Sequence, residues 1–174
     1  MTNFFQSPKS SWIWLVIRLY VGYQWMVAGW HKIVDGFDAT GFLKGAIAKS
    51  VPAAEGAKPV VQSWWAAFLE GFALPNVGLF NFLIPWGEFL VGLALILGFA
   101  TIFAATMGMV MNFAFLLSGT ISSNPNYLIL QFILVSLGGA YAGYLGIDYY
   151  FRPVYRKALA RILPGEGHAA AQKA

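Results

Sequence analysis

Four apolar stretches, each broken by only one or two polar residues, constrain this chain more than any other feature. They run over 12–33, 77–99, 102–117 and 127–147, the third being the shortest. A helix rising 1.5 Å per residue needs about 20 apolar residues to cross ~30 Å of hydrocarbon. Inside lipid only helices and closed barrels satisfy their own backbone groups. The breaks between the stretches carry turn chemistry: Pro75-Asn76, Gly98 to Thr101, and Ser122 to Asn126. Hydrophobic residues make up 59% of the chain and charged ones 10%, against roughly 25% charged in a soluble domain. The expected fold is therefore all-α: an integral membrane four-helix bundle over residues 1–151, followed by a basic tail, 152–174. The first stretch is read as a retained helix and not a cleaved signal, because it is too long and holds Arg18. Its Val27-Ala28-Gly29 also leads into Trp30-His31-Lys32 in place of a small-residue cleavage site.

Orientation follows from basic residues near membrane ends. Arg152, Arg156, Lys157 and Arg161 follow the last apolar stretch, which places both termini in the cytoplasm of a plasma-membrane protein and loop 34–76 outside. Lys44, Lys49 and Lys58 in that loop weigh against this. Within the loop, Val61, Trp64, Trp65, Phe68, Leu69 and Phe72 fall on one side of a helix that Pro59 would start. Two readings stand: an interfacial helical segment lying over the bundle, or a packed connector. The basic residues gather at one end and do not spread over a face, so the expected partner is the lipid bilayer and no nucleic acid.

The residue inventory excludes several chemistries. With no cysteine there is no disulfide framework, thiolate metal site, iron–sulfur cluster or dithiol relay. Of the two histidines, His31 ends the first stretch and His168 lies in the hydrophilic tail, so a haem held by paired histidines is not expected. No cluster with metal-ligand spacing occurs.

The polar residues inside the stretches carry the functional signal. Arg18, Gly22, Trp25, Gly29 and Lys32 share one stripe of the first helix, and Asn81, Glu88 and Gly92 one face of the second. Gly22, Gly29, Gly92 and Gly108, with Gly139 and Gly143 as a GxxxG pair, supply the small residues that membrane helices need at contacts. Counting residues brings Arg18, Glu88 and Asn112 to similar depth, so Arg18 and Glu88 are expected to meet. A charge at the bilayer centre costs at least ~2.5 kcal/mol unless it does so. That pair is either a register-fixing ion pair or, with Asn112 and Trp25, the lining of a pocket for a polar head such as a quinone carbonyl. Lys32 reads as a snorkelling cation. His31 is either a proton donor to a ligand or a surface imidazole.

Arg18-Leu-Tyr-Val-Gly22 followed by Gly29-Trp-His-Lys32, and Gly87-Glu88 followed by Gly92-Leu-Ala-Leu-Ile-Leu-Gly98, resemble the two signatures of the DoxX family. The resemblance is carried from Trp12 to Ile147. It implies a four-helix membrane protein, with Arg18, Lys32 and Glu88 at motif positions and hence as catalytic candidates. Asn112, His31 and Trp25 are the ligand-binding candidates. The aromatic loop resembles that of DoxD, the membrane subunit of thiosulfate:quinone oxidoreductase. Three functions are weighed: a redox subunit using quinone as co-substrate, with a second oxidoreductase subunit or a homo-oligomer as partner; a non-catalytic anchor for soluble oxidoreductases; and a small transporter.

Overall fold

A computed structural model describes residues 4–151 and 153. The expected basic tail, with Arg152, Arg156, Lys157, Arg161 and His168, lies outside the described residues. Among them the fold is all-helical, with no strand. Two 3-10 turns, Phe4–Gln6 and Pro8–Ser10, lead into α1 (Ser11–Asp35). Then come α2 (Thr40–Ala48), α3 (Ser63–Phe68), a π-helical turn (Leu69–Ala73), α4 (Val77–Leu97), α5 (Thr101–Leu117) and α6 (Asn124–Ile133). Within the described residues α4 is the one helix long and apolar enough to cross a membrane, at 21 residues and mean hydropathy 1.8; α5 is apolar but shorter.

Two elements differ from the sequence expectation. The fourth stretch does not continue as regular helix to Ile147. It passes from α6 into a π-helical turn (Leu134–Gly138) and a 3-10 turn (Gly139–Tyr141). Gly139 has φ +47° and nothing near the place of a β-carbon, so it breaks the helix and makes no GxxxG contact. In the loop, α2 was not anticipated, and α3 starts at Ser63, not at Pro59. The loop is well packed all the same. Ala39, Leu43, Ala46, Leu69 and Ala73 form a small core of their own beside Val77 and Phe80 of α4. Trp65, Phe68 and Phe72 stack in succession.

α1 and α4 pack antiparallel along their length, and glycine makes this close approach possible. A β-carbon on Gly29 would strike the backbone of Phe89, and one on Gly92 the backbone of Met26. Trp14, Val21, Trp25, Val91, Leu95, Ala104, Ala105 and Leu134 fill the main core between α1, α4, α5 and the end of α6.

At the Arg18 end the chain closes on itself. The Arg18 guanidinium donates to the carbonyls of Ala142 (3.1 Å) and Leu145 (2.7 Å). Gly98 ends α4 in the left-handed conformation at φ +65°, and any side chain there would collide with Arg18. The N–H groups of Ile147 and Asp148 donate to Leu97 and Gly98 at 3.1 and 2.8 Å, satisfying carbonyls that the end of α4 leaves open. The Asp148 carboxylate accepts the N–H groups of Ala100 (2.7 Å) and Thr101 (2.9 Å) at the start of α5, where the helix dipole favours an anion.

Candidate functional site

Arg18 and Glu88, expected to meet, are held apart. Gly22 lies against Gly92 and Leu95, and Arg18 against Gly98. That register leaves Arg18 about ten residues, roughly 15 Å, from Glu88 along the α4 axis. Side-chain direction widens the gap. Helical side chains lean toward their own N-terminus, so on antiparallel helices Arg18 and Glu88 lean away from each other. For the same reason Lys32 and Glu88 lean together. Lys32 Nζ donates to Glu88 Oε2 at 2.5 Å, with the Glu88 side chain 3% exposed and that of Lys32 30%. The buried carboxylate thus has a cation, but from the far end of α1.

This pair lies in the wall of a cavity of about 290 Å³. Gln24, Trp25, Ala28 and Lys32 of α1 form one side, Ile84 and Glu88 of α4 another, and Phe115 and Tyr127 come from α5 and α6. Phe37 and Phe42 close it from the segment after α1. Thr120, Ser122 and Ser123, from the turn between α5 and α6, and Asn124, the first residue of α6, give a polar rim at the end that carries residues 36–76.

Two polar residues, on α5 and α6, stand behind the Trp25 wall. Asn112 and Gln131 are both fully buried, and their amides hydrogen-bond at 2.7 Å. In the opposite orientation of its amide, which gives up the bond from Asn112 Nδ2, the Gln131 oxygen accepts the Trp25 indole N–H at 2.9 Å and its nitrogen donates to the Tyr127 carbonyl at 3.2 Å. Gly108 leaves the space that the Gln131 amide occupies. Asn112 therefore does not line the cavity; it supports a residue that does.

His31 stands outside. Its side chain is 69% exposed, with Nδ1 3.5 Å from Asp35. Near the same end, Asp38 accepts from the Thr40 N–H (3.0 Å) and hydroxyl (2.7 Å) and from Asn81 (3.3 Å). These bonds, the Thr40 N–H first, hold its carboxyl below the usual carboxylate range. Asn81 in turn accepts the Ala39 N–H at 2.8 Å, which ties the segment after α1 onto α4.

Of the residues singled out in the sequence, Lys32, Glu88 and Trp25 come together, with Asn112 behind them. Arg18 and His31 do not join them. Gln24, Tyr127 and Gln131 were missed as site residues, although Gln24 and Gln131 stand out as polar breaks in apolar stretches. Arg18→Lys keeps the charge but loses the planar fork that reaches two carbonyls. It is expected to lower stability in detergent by roughly 2 kcal/mol and leave binding in the cavity unchanged. Thermal unfolding and ligand titration of the same sample check this; lost binding at unchanged stability would return Arg18 to the site.

Among the described residues no cluster of three or more His, Cys, Asp or Glu is placed to hold a metal ion. No curated protein and no solved structure matches the chain. The family model for DoxX matches residues 13–119. That range holds Arg18, Lys32, Glu88 and Asn112 and stops short of α6, so the resemblance is shown up to Gly119 and not to Ile147. The matched range spans α1 to α5, more than half of the sequence, and the chain belongs to the DoxX family of membrane proteins.

Proposed function

We propose that this protein is a four-helix plasma-membrane protein whose Lys32–Glu88 cavity binds the head group of a quinone, as the quinone-interacting subunit of a membrane oxidoreductase. The observation that carries the reading is the Lys32–Glu88 pair, its carboxylate buried, in an aromatic-lined cavity. Intramembrane ionisable groups face bundle interiors or cavities and mark functional sites.

The distribution of residues supports the membrane part. Arg18, Glu88, Asn112 and Gln131 are buried, while Val16, Phe82, Phe103 and Phe132 are each more than 60% exposed, one on each of α1, α4, α5 and α6. Polar inside and apolar outside on all four elements suits lipid and not water. Four crossings return the chain to the side it started from. Both termini are then cytoplasmic, by the basic tail, and residues 36–76 lie outside.

The cavity fits a flat head group in volume and chemistry. At about 290 Å³ it lies at the low end of the ~300–1,000 Å³ usual for ligand sites. Phe37, Phe42, Phe115 and Trp25 offer ring faces. Lys32 has donors beyond the one given to Glu88 and can hold a carbonyl oxygen and stabilise negative charge there. Glu88 can pass a proton. Reduction of a quinone to a quinol takes two electrons and two protons. In the DoxD-like form of this reading the electrons come from thiosulfate, two ions joining through a new S–S bond to give tetrathionate. Without cysteine or paired histidines the chain brings no thiol relay or haem of its own, so direct transfer or a partner subunit must serve.

The test is equilibrium binding of a decyl-tailed benzoquinone to the full chain in nanodiscs, with quinone reduction by thiosulfate assayed with and without co-purified partners. Saturable binding that falls at least tenfold in Glu88→Leu is expected. Absence of saturable binding overturns the reading, and binding without thiosulfate-dependent reduction removes its DoxD-like form.

A further inference from the structure

Gln24 is a polar residue without a hydrogen-bond partner among the described residues. It lies near the middle of α1, roughly 16–20 Å from either helix end, beyond the reach of its side chain to either surface. The residue is half-buried, and its carboxamide makes no hydrogen bond to any described residue. An amide left so in an apolar medium is costly. The other buried amides at this level, Asn112 and Gln131, are paired with each other. Gln24 instead faces the cavity.

Two features of its surroundings specify what it would bind. Gln24, Ala28 and Lys32 recur at intervals of four and share one stripe of α1, all on the cavity wall. The Cα atoms of Gln24 and Lys32 are thus about 12 Å apart along the axis, and both side chains lean toward the same end of α1. A six-membered ring with an oxygen at each end, plus an N–H···O bond of about 2.9 Å at both, spans such an interval. Both groups can donate, so a ligand with two acceptors on opposite edges matches them.

The second feature is the seam beside Gln24. α1 lies against α4 and α6 against α5, but α1 and α6 touch at few points. The cavity wall on this side consists of Gln24 and Ala28 from α1 with Asn124 and Tyr127 from α6. Tyr20 meets Tyr127 edge to face, ring centroids 6.3 Å apart, at the border of the seam toward the Arg18 end. On the α1 side of this border the surface is apolar, with Tyr20 and Tyr23 exposed. A cavity this small takes a ring but no long hydrocarbon chain, so a tail has to leave it.

We infer that Gln24 is a ligand-binding residue, which with Lys32 grips the two opposite carbonyls of a para-quinone whose apolar tail leaves between α1 and α6. This rests on the quinone reading above and adds the ring's orientation and its way out. It predicts a para-dicarbonyl ring as the preferred head group.

The test uses the full chain in nanodiscs and two probes: tetramethyl-benzoquinone, which has no tail, and a decyl-tailed benzoquinone with a diazirine at the tail end. Wild-type protein is titrated first. If it binds neither probe, the quinone reading falls and this inference with it. Given wild-type binding, Gln24→Leu is expected to weaken both probes by about 3- to 10-fold, the loss of one hydrogen bond, with an unchanged thermal midpoint. Gln24→Leu that binds both probes as wild type does overturns the role of Gln24. So does a variant whose binding is intact but whose oligomer falls apart, since Gln24 would then be a contact between copies. Photolysis of the tailed probe is expected to label α1 and α6 around Tyr20, Tyr23 and Tyr127; labelling confined to α4 and α5 overturns the exit.

Discussion

Alanine at Gly92 or at Gly29 is expected to destabilise the fold more than any other single added methyl group, by roughly 3 kcal/mol. The reason is what the new carbon would meet. At Gly92 it runs into the backbone nitrogen and Cα of Met26, and at Gly29 into the backbone of Phe89. A side chain can turn aside, but a helix backbone can yield only by moving the whole of α1 away from α4. Those two helices also carry Lys32 and Glu88, so the same shift draws the ion pair apart and opens the cavity wall. Loss of stability and loss of ligand binding should therefore appear together. Gly78→Ala is the control. It lies in the same helix with nothing within 4 Å of the added carbon, and should be neutral or gain up to about 1 kcal/mol. Thermal unfolding of the three variants in one detergent checks the order. Equal midpoints for Gly92→Ala and Gly78→Ala would mean that α1 and α4 do not approach as described.

These glycines were legible because small residues have one main use at a membrane helix contact. Gly22, Gly29, Gly92 and Gly108 all have neighbours where a side chain would be. Gly139 was not legible, because a helical stripe and a helix break look alike where glycines follow one another at 138 and 139. The backbone settles it through φ +47°. α2 escaped for a different reason: nine residues in which glycine recurs show no apolar period strong enough to set it apart from a loop.

The polar interior shows where reading by depth fails. Residue counts put Arg18 and Glu88 at one level, but counting gives the position of Cα and not of the charge. A lysine or arginine head can lie several ångströms from its Cα, always with a lean toward its helix N-terminus. On antiparallel helices that lean alone favours Lys32 over Arg18 as the partner of Glu88. Asn112 and Gln131 were visible singly as breaks in their stretches. Their pairing needed the knowledge that α5 and α6 face each other where Gly108 leaves room.

Lys32 and Glu88 allow structure and function to be separated by a double-mutant cycle. Lys32→Met leaves the buried Glu88 carboxyl, 3% exposed, without its cation, and is expected to cost about 3 kcal/mol. Glu88→Leu strands a lysine that is 30% exposed and can turn toward the polar rim, so a smaller loss of roughly 1–2 kcal/mol follows. The double variant Lys32→Met, Glu88→Leu replaces a buried ion pair by apolar groups of similar volume and should recover most of the wild-type stability. If the pair only sets the register of α1 on α4, that recovery restores everything, including whatever the cavity binds. If the pair holds a head group, the double variant is stable but binds a short-tailed benzoquinone at least tenfold more weakly than wild type. Glu88→Gln, which keeps an acceptor for Lys32 but gives up the carboxylate charge, should then bind the quinone yet turn it over slowly, because the residue that passes the proton is gone. Unfolding and binding measured on the same four samples tell the two roles apart: a stable double variant with unchanged affinity reduces the pair to architecture.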